Sequence, residues 1–216
     1  MPPLPTNGPS DRPRPLPTRI ETGRLQLLAM PLSFLEACRD RDRDRAESLI
    51  GLQVPDDWLG ESELIQTQLV EFEEGAAYAS WGVRAVGLTA TRTMIGHVGF
   101  HSLPDPEYLQ PYWPGGIELA YTVYPDHRRR GHGFEAVAAL MYCALGCARI
   151  RRFLASVAAS NLASRALARK LGFVKTVEHV DDESRQMELL YVLEGDALQR
   201  FEMSAAAHQL PADSRY

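Results

Sequence analysis

Hydrophobic and polar residues alternate over positions 117–124, and this stretch carries the clearest strand pattern in the chain. A turn follows at residues 128–133, with three consecutive arginines and two glycines. Apolar residues then recur at helical spacing, at Phe134, Val137 and Met141. The pattern therefore predicts a strand, a basic glycine turn and a helix in direct succession.

The predicted turn has the features of an anion-binding site. A helix N-terminus presents unpaired N–H groups and a partial positive charge. Gly131 and Gly133 let an anion approach the backbone closely. Arg128, Arg129 and Arg130 add formal positive charge beside it. We interpret this turn as the binding site of a polyphosphate, and the alternative interpretation is a solvated run of surface arginines.

The rest of the pattern predicts a mixed α/β domain whose strands and helices are interspersed. Before the central strand we expect a strand over 19–30, a helix over 32–40, a turn at 55–57, a helix over 64–75, strands over 78–87 and 93–103, and a loop over 104–116. After the central strand and its helix we expect a strand over 153–158, a helix over 161–171, strands over 173–180 and 185–193, and a helix over 194–206. In the loop, Tyr108, Tyr112 and Trp113 either form a wall of a substrate site or anchor the loop to the core.

The ends of the chain differ in composition from its middle. Residues 1–18 hold seven of the fifteen prolines. We expect these residues to form a disordered or extended tail, either a solvated leader or an arm that packs on a partner subunit. Residues 19–206 are predicted to form a single domain, and residues 207–216 a polar C-terminal tail.

Charge and composition exclude several classes of function. A formal net charge of −5 argues against general nucleic-acid binding. The longest apolar runs are too short to span a bilayer, and the N-terminus lacks the apolar segment of a secretory signal. Three cysteines make a disulfide framework improbable. We therefore expect a cytoplasmic protein with neither nucleic-acid nor membrane partners.

Two sequence signatures at the expected separation resemble those of the GNAT superfamily of acyl-CoA N-acyltransferases. The first is Arg128-x-x-Gly131-x-Gly133, in the basic glycine turn. The second combines Asn161-Leu162-Ala163-Ser164 with Lys170-Leu171-Gly172-Phe173. Together with the order of elements, the resemblance covers about residues 19–195. The segments at 21–25 and 95–100 are similar to the branch that acetylates N-terminal amines of ribosomal proteins and to its small-molecule relatives.

This resemblance implies a fold and a cofactor. The implied fold is α/β, with a mostly antiparallel mixed sheet of about seven strands that splays between strands 4 and 5 and is flanked by helices. The implied cofactor is acetyl-CoA, whose pantetheine arm pairs with the splayed strand like an added strand. The residues that would hold it are Tyr121, Thr122 and Val123 along the arm, Arg128, Arg129, Arg130, Gly131, His132, Gly133 and Phe134 at the phosphates, Asn161 at the pantetheine amides, and Arg165 at the adenine-phosphate side.

Glu118 and Ser164 are the candidate catalytic residues. Glu118 is in the central strand, where a carboxylate could take a proton from the amine directly or through water, although an ion pair or an edge charge would explain it equally. Ser164 could donate a hydrogen bond to the departing thiolate. Much of the superfamily uses a tyrosine for this, at the position that Ala168 occupies here. The acceptor is expected to be a primary amine, on a peptide N-terminus or a small molecule.

Several alternatives stay open at this point. His97 and His101 could line the acceptor site, serve as the base, or be ordinary surface or core histidines. Cys143 and Cys147 share a helix face but have no ligand partners at zinc spacing, so a metal site is not expected. The protein could be a monomer or a homodimer. The rival function is a non-catalytic acyl-CoA-binding sensor, which the absence of a tyrosine at Ala168 would favour.

Overall fold

The computed structural model describes residues 14–75, 78–180 and 185–207, and its centre is one open sheet of eight strands. The strands are β1 Arg19–Glu21, β2 Leu25–Ala29, β3 Arg84–Leu88, β4 Thr93–Phe100, β5 Ile117–Val123, β6 Phe153–Ala158, β7 Val174–Val180 and β8 Met187–Leu193, and their order in the sheet is β1-β2-β3-β4-β5-β6-β8-β7. The helices are α1 Leu32–Arg39, α2 Arg43–Ile50, α3 Asp56–Leu59, α4 Ser62–Glu74, α5 Tyr78–Trp81, α6 His132–Ala148, α7 Leu162–Leu171 and α8 Gly195–Ala207.

The pairing of the strands confirms the predicted mixed, mostly antiparallel sheet. β5 and β6 are parallel to each other, and the other neighbouring strands pair antiparallel. The parallel pair is held at Ile117–Phe153 and Glu118–Leu154, although both strands continue further. Beyond Glu118 the two strands diverge, so the sheet splays at this point.

The sheet has one strand more than expected because the stretch over 19–30 is a hairpin rather than a single strand. Thr22 N–H donates to the carbonyl of Leu25 at 2.9 Å, and the chain reverses there. β1 then pairs with β2, from Arg19–Leu28 to Glu21–Gln26. The apolar alternation runs through both strands, and it therefore concealed the reversal.

Two other local predictions were wrong. The expected turn at 55–57 is the start of α3, where Pro55 is the N-cap and Asp56 and Asp57 lie in the first turn. Proline and acidic residues are favourable at a helix N-terminus, so the same residues that suggest a turn also start a helix. The expected strand over 78–87 begins with α5, and only Arg84–Leu88 is extended.

Both faces of the sheet are covered by apolar clusters. On one face, Val137, Leu140 and Met141 of α6 are buried against the strands. On the other face, Phe34 of α1 and Trp58 of α3 belong to a second buried cluster. The splay between β5 and β6 therefore opens between two packed layers, which hold its walls in place.

The described end of the proline-rich tail packs on the domain's own core. Leu16 is 3% exposed and belongs to the cluster that contains α6. The buried guanidinium of Arg84 donates through Nη1 to the carbonyl of Pro17 at 2.7 Å. Neither a solvated leader nor an arm on a partner subunit describes these residues. Residues 1–13 and 208–216, and the acidic turn at 181–183, lie outside the described residues.

Candidate active site

A cavity of about 340 Å³ opens where β5 and β6 separate. Its walls come from β4, β5, β6, α4 and the beginning of α7, and the residues from the two splayed strands are Leu119, Ala120, Tyr121, Thr122, Ser156, Val157 and Ala158. Of the residues predicted from sequence, Tyr121, Thr122, Asn161 and Ser164 meet at this one cavity. Residues 42 positions apart along the chain, such as Thr122 and Ser164, are thus brought together by the splay.

One edge of β5 is fully paired, and the other is open past Glu118. β4 pairs with β5 from Phe100–Leu119 to Gly96–Val123. β4 approaches β5 so closely that a Cβ added to Gly96 would lie 2.1 Å from the carbonyl oxygen of Thr122. The paired edge is therefore fixed by a glycine contact, and the open edge can receive an extended ligand as an added strand.

The basic glycine turn directly follows β5. A 3₁₀ turn, Pro125–His127, leads into it, and Arg129 and Gly131 both have left-handed backbone with φ of 61° and 82°. Gly131 is the N-cap of α6 and has no side chain to cap the helix, so the first N–H groups of α6 keep their capacity to bind an anion. His132 uses its ring for packing: it is 6% exposed, with Nδ1 3.2 Å from the carbonyl of His127.

The arginines of the turn are exposed to solvent. Arg128 folds back, and its Nε donates to the carbonyl of Val123 at 2.7 Å, which ties the turn to the end of β5. Within the described ranges, none of Arg128, Arg129 and Arg130 forms an ion pair with a carboxylate. Their charge therefore remains available to a phosphate, and the uncapped helix start beside them fits the polyphosphate of CoA.

Thr22 and Arg24, from the first hairpin, hold the start of α6 next to this turn. From sequence, no role was assigned to these two residues. Glu135, in the first turn of α6, accepts hydrogen bonds from Thr22 Oγ1 at 2.6 Å, Arg24 N–H at 3.0 Å and Arg24 Nε at 2.7 Å. Arg24 also donates through Nη1 to the carbonyl of Arg130 at 3.0 Å. Although partial burial would raise the pKa of Glu135, these hydrogen bonds lower it. The Thr-Gly-Arg segment at 22–24 was the available signal.

The start of α7 forms as predicted. Asn161 is its N-cap, and the side-chain Oδ1 accepts from the N–H of Ser164 at 3.0 Å. Ser164 lines the cavity, and its carbonyl lies 3.5 Å from the hydroxyl of Tyr121. Ala168 is 2% exposed and faces the core rather than the cavity. Arg165 donates through Nη1 to the carbonyl of Ala159 at 2.7 Å, so it braces the turn between β6 and α7.

Glu118 lies at the closed end of the splay. Its Oε1 accepts from the N–H of Ser156 on β6 at 3.2 Å, and its Oε2 accepts from the hydroxyl of Tyr108 at 3.0 Å. The carboxylate thus accepts a hydrogen bond from the N–H group of β6 that lies next to the point where the pairing of β5 and β6 ends. Burial, and then the charge of Glu118, raise the pKa of Tyr108, which remains a donor. In the loop over 104–116, Trp113 therefore packs on an apolar cluster, as the anchoring interpretation expects, whereas Tyr108 contacts Glu118 and is not among the residues that line the cavity, so the substrate wall stays a prediction.

Side chains from α4 and β4 form the far wall of the cavity. Gln68 is buried, accepts from the N–H of Val83 at 2.9 Å and donates to Glu71 at 2.5 Å. Glu71 is the only carboxylate among the described residues that line the cavity. His97 is buried beside it, and burial lowers the pKa of His97 to about 4, so its ring is neutral at physiological pH. His101 is exposed at the mouth.

The cysteines, the possible metal ligands and the helix lengths bear on whether the chain has a reactive thiol, a metal site or a membrane span. Cys143 and Cys147 are half-buried, with their sulfurs 3.7 Å apart, and burial raises the pKa of Cys143 to about 12. In the described part of the chain, no three histidine, cysteine or acidic side chains cluster as metal ligands would. Among the same residues, no helix is both long enough and apolar enough to cross a membrane.

Comparison with known proteins gives a family match and several structural neighbours. A model of the acetyltransferase (GNAT) domain matches residues 32–174. No protein in a search of curated sequences matches the chain. Among solved structures, the chain is similar to one described as a GnaT-family acetyltransferase from Bordetella pertussis, with a TM-score of 0.57 and 24% identity over 81% of this chain and 98% of that one.

Two further neighbours have descriptions that name ribosomal proteins. One is described as a candidate ribosomal-protein-serine acetyltransferase from Vibrio cholerae, with a TM-score of 0.56 and 19% identity over 82% of this chain and 97% of that one. The other is a ribosomal-protein-S5-alanine acetyltransferase from Vibrio fischeri, with a TM-score of 0.57, 16% identity and the same coverage, 82% and 97%. At these identities the likeness establishes the fold.

Proposed function

We propose, from the premise that the chain belongs to the acetyltransferase (GNAT) family, that it transfers an acetyl group from acetyl-CoA directly to an acceptor amine in a ternary complex. Acetyl-CoA is the cofactor of this family. The first acceptor we propose is a peptide N-terminal amine, and the second is a small-molecule amine. The observation that carries the proposal is the cavity between β5 and β6, which joins the open strand edge, Ser164 and an acidic wall in one space.

The residues that would hold acetyl-CoA follow the order of its parts. Its phosphates meet the N–H groups over 129–134, with Arg128 and Arg130 beside them. Tyr121, Thr122 and Val123 offer the open edge of β5 to the pantetheine arm, and Asn161 contacts its amides. Arg165 donates a hydrogen bond to the carbonyl of Ala159 in the turn after β6. It would contact the adenine-phosphate side of acetyl-CoA only after this hydrogen bond is broken.

Acetyl-CoA supplies a thioester, which an uncharged amine can attack. An N–H group on the open edge of β5 stabilises the oxygen that becomes negative during the attack. The hydroxyl of Ser164 donates a hydrogen bond to the departing thiolate, since the high pKa of serine makes it a donor rather than a strong acid. Glu118 takes a proton from the nitrogen through a water, because both of its oxygens already accept hydrogen bonds.

The acceptor is proposed to arrive with a positive charge. Glu71 places a carboxylate on the cavity wall opposite the splay, where Gln68 orients it. Glu118 adds a second carboxylate at the closed end. A protonated amine is attracted to such a site, whereas an acidic acceptor is repelled. Two structural neighbours are described as acetyltransferases of ribosomal proteins, one naming serine and the other alanine, and these descriptions support a protein as the acceptor.

The second candidate function, an acyl-CoA sensor, is favoured by one observation. The position that carries a tyrosine acid in much of the superfamily is Ala168, which is 2% exposed and part of the core. A sensor would bind acetyl-CoA and would never consume it. An enzyme would use the hydroxyl of Ser164 instead.

Turnover on a panel of amines separates the two functions. The panel contains heptapeptides that begin with alanine or serine, polyamines and aminoglycosides, and the assay measures the free thiol of CoA released from acetyl-CoA. We expect steady release that depends on the amine, with an acetylated product of the expected mass. Binding of acetyl-CoA without acetylation of any amine would support the sensor and contradict the proposed enzyme.

A further inference from the structure

His97 is a buried imidazole whose ring nitrogens find no hydrogen-bond partner in the part of the chain that the structure describes. It is 6% exposed, and neither Nδ1 nor Nε2 has a partner among the described residues. The hydroxyl of Tyr124, whose ring lies 6.3 Å from that of His97, is likewise buried without a partner among those described residues. Buried polar atoms without partners are rare because they lose their hydrogen bonds to water. A histidine kept in this state beside a reaction cavity calls for a functional explanation.

His97 lies beside the part of β5 that is proposed to hold the pantetheine arm, where the acceptor amine is expected to reach the thioester. His97 pairs with Thr122 in the β4–β5 register, at the middle of the β5 segment that is proposed to hold the pantetheine arm. It lines the same cavity as Ser164, the proposed partner of the thiolate. Glu118 precedes Thr122 by four residues in β5 and lies at the closed end of the splay. His97 is therefore better placed than Glu118 to meet the incoming nitrogen.

Glu61 connects His97 to solvent. Its Oε1 lies 3.9 Å from Nε2 of His97, and its side chain is 39% exposed. This distance is too long for a direct hydrogen bond, but one water or a small rotation of the carboxylate would bridge it. The path from the cavity to bulk water thus has two groups, His97 inside and Glu61 at the surface.

The other groups around His97 leave this path open. Trp58 packs edge-on against its ring at 5.7 Å, but the indole N–H donates to the sulfur of Cys38 at 3.2 Å. Tyr124 is kept protonated, since burial, and then the charges of Glu61 and Asp57, raise its pKa. The charges that raise the pKa of Tyr124 are thus those of carboxylates, whereas burial alone lowers the pKa of His97.

The chemistry needs such a path when the acceptor is an ammonium ion. Its nitrogen loses two protons as the C–N bond forms and the C–S bond breaks. One proton balances the thiolate, which leaves as a thiol, and the other must reach the solvent. No electron acceptor or donor is involved. Glu118, through its water, accepts the proton that the nitrogen loses during the attack. The proton that the ammonium loses before the attack needs a separate route.

We propose that His97 accepts the first proton of the acceptor ammonium on Nδ1, through a water because this atom is itself buried, and releases the proton of Nε2 to Glu61, and from there to solvent. This inference rests on the proposed acetyl transfer. The ring stays neutral between turnovers because burial lowers the pKa of His97 to about 4. His97 is then a relay that is ready at each cycle, and it is the residue that lets the enzyme use amines below their own pKa.

The pH dependence of kcat/KM for the best peptide acceptor tests the relay. The α-amine of a peptide has a pKa of about 8, so it is mostly ammonium at pH 6 and mostly neutral at pH 9. For His97→Asn we expect a loss of about 100-fold at pH 6 and of less than about twofold at pH 9. Glu61→Gln should show the same trend with a smaller loss. For Glu118→Gln the loss should be independent of pH.

Controls separate the relay from general damage to the enzyme. His179 and Glu188 form a surface histidine–carboxylate pair at 3.8 Å, and neither is among the residues that line the cavity, so His179→Asn should leave the profile unchanged. The affinity of each variant for acetyl-CoA, measured by calorimetry, should equal that of the wild type. A loss for His97→Asn that is equal at both pH values, or no loss at all, overturns the relay.

A second measurement does not depend on turnover, so failure of the proposed function and failure of the relay are distinguishable. In ¹⁵N-histidine NMR of the full chain, we expect neutral-imidazole signals for His97 from about pH 5 to 9, given its pKa of about 4. Millimolar n-butylamine at pH 9 should shift the signals of His97 but not those of His179. A His97 that titrates near pH 6.5, or does not respond to the amine, contradicts the inference even if the wild type acetylates peptides.

Discussion

Ser164 is proposed to supply the hydrogen bond that a tyrosine supplies in much of the superfamily, because the position of that tyrosine is Ala168 here. Ser164 is in the first turn of α7 and lines the cavity, whereas Ala168, one turn later, is packed in the core. A larger side chain at 168 would have to displace core residues. The hydroxyl that the thiolate needs is therefore proposed to come from Ser164.

Replacing Ser164 by alanine should slow the reaction without weakening the cofactor. We expect kcat to fall by about 10- to 100-fold, because a hydrogen bond to the thiolate is lost mainly in the transition state. The dissociation constant of acetyl-CoA should stay within about twofold. Steady-state kinetics and calorimetry measure the two quantities, and Ser160→Ala, which removes an exposed hydroxyl nearby, is the control. Equal losses in both quantities would assign Ser164 a binding role instead.

At the residue scale, the sequence predicts what is local and misses what is brought together by packing. Asn161 as an N-cap and Gly172 as a left-handed C-cap, with φ of 94°, depend on neighbours three or four positions away. The hydrogen bond from Ser156 to Glu118 joins residues 38 positions apart, and no spacing rule encodes it. The sequence did not decide whether His97 is buried, because its burial depends on contacts with α3 and β5, which are distant along the chain.

At the element scale, the glycine turn and the first hairpin act as one unit. Thr22 and Arg24 bind the carboxylate of Glu135 at the start of α6, and Arg24 also holds the carbonyl of Arg130. The first three N–H groups of α6 have no partner within the helix. A brace from β1–β2 therefore fixes the direction in which these donors point.

Glu135→Gln should destabilise the protein at neutral pH. The folded-state pKa of Glu135 is lowered, so its contribution is present at neutral pH and is lost as the pH falls through that lowered value. We expect a loss of about 1–2 kcal/mol at pH 7, kept small because Arg24 is half-exposed, and a difference that disappears in acid.

Urea unfolding at pH 7 and in acid measures this prediction. Glu202→Gln is the matched control, because Glu202 forms a single exposed pair with Arg151 at 2.5 Å and should contribute little at either pH. A Glu135→Gln variant that is as stable as the wild type at pH 7 would show that the brace is dispensable.

Element boundaries followed from sequence where one signal dominated. α4 and α6 form as predicted, because the apolar spacing and the terminal glycines agree. The hairpin over 19–29 and helix α5 were missed because apolar residues continue across a chain reversal in one case and across a helix–strand junction in the other. In both cases tertiary contacts, rather than the local pattern, decide the conformation.

At the scale of the whole molecule, the chain entering the domain is part of its core. Leu16 is 3% exposed, and Arg84, whose charge is buried, finds an acceptor in the carbonyl of Pro17. Burial lowers the pKa of Arg84 to about 10, so it remains a cation at neutral pH. The high proline content of this segment suggested a tail. Composition cannot show that one leucine in such a segment is buried in the core.

Leu16→Ala should therefore cost about 2–3 kcal/mol in the free energy of unfolding. Leu49→Ala removes the same atoms from a side chain that is 42% exposed, and it should cost less than about 0.5 kcal/mol. Urea denaturation of both variants gives the comparison. Equal effects would mean that residues near 16 contribute nothing to the packed domain.

The docking of acetyl-CoA on the glycine turn is the claim on which the whole account depends, and calorimetry of acetyl-CoA binding tests it most directly. Gly131→Asp puts a carboxylate at the N-cap of α6, and Gly195→Asp makes the same change at another left-handed glycine, with φ of 54°, at the start of α8. The account predicts that Gly131→Asp, still folded by thermal melting, binds acetyl-CoA about 100-fold more weakly, while Gly195→Asp binds like the wild type. Unchanged affinity in Gly131→Asp, or no binding of acetyl-CoA by the folded wild type, would contradict it.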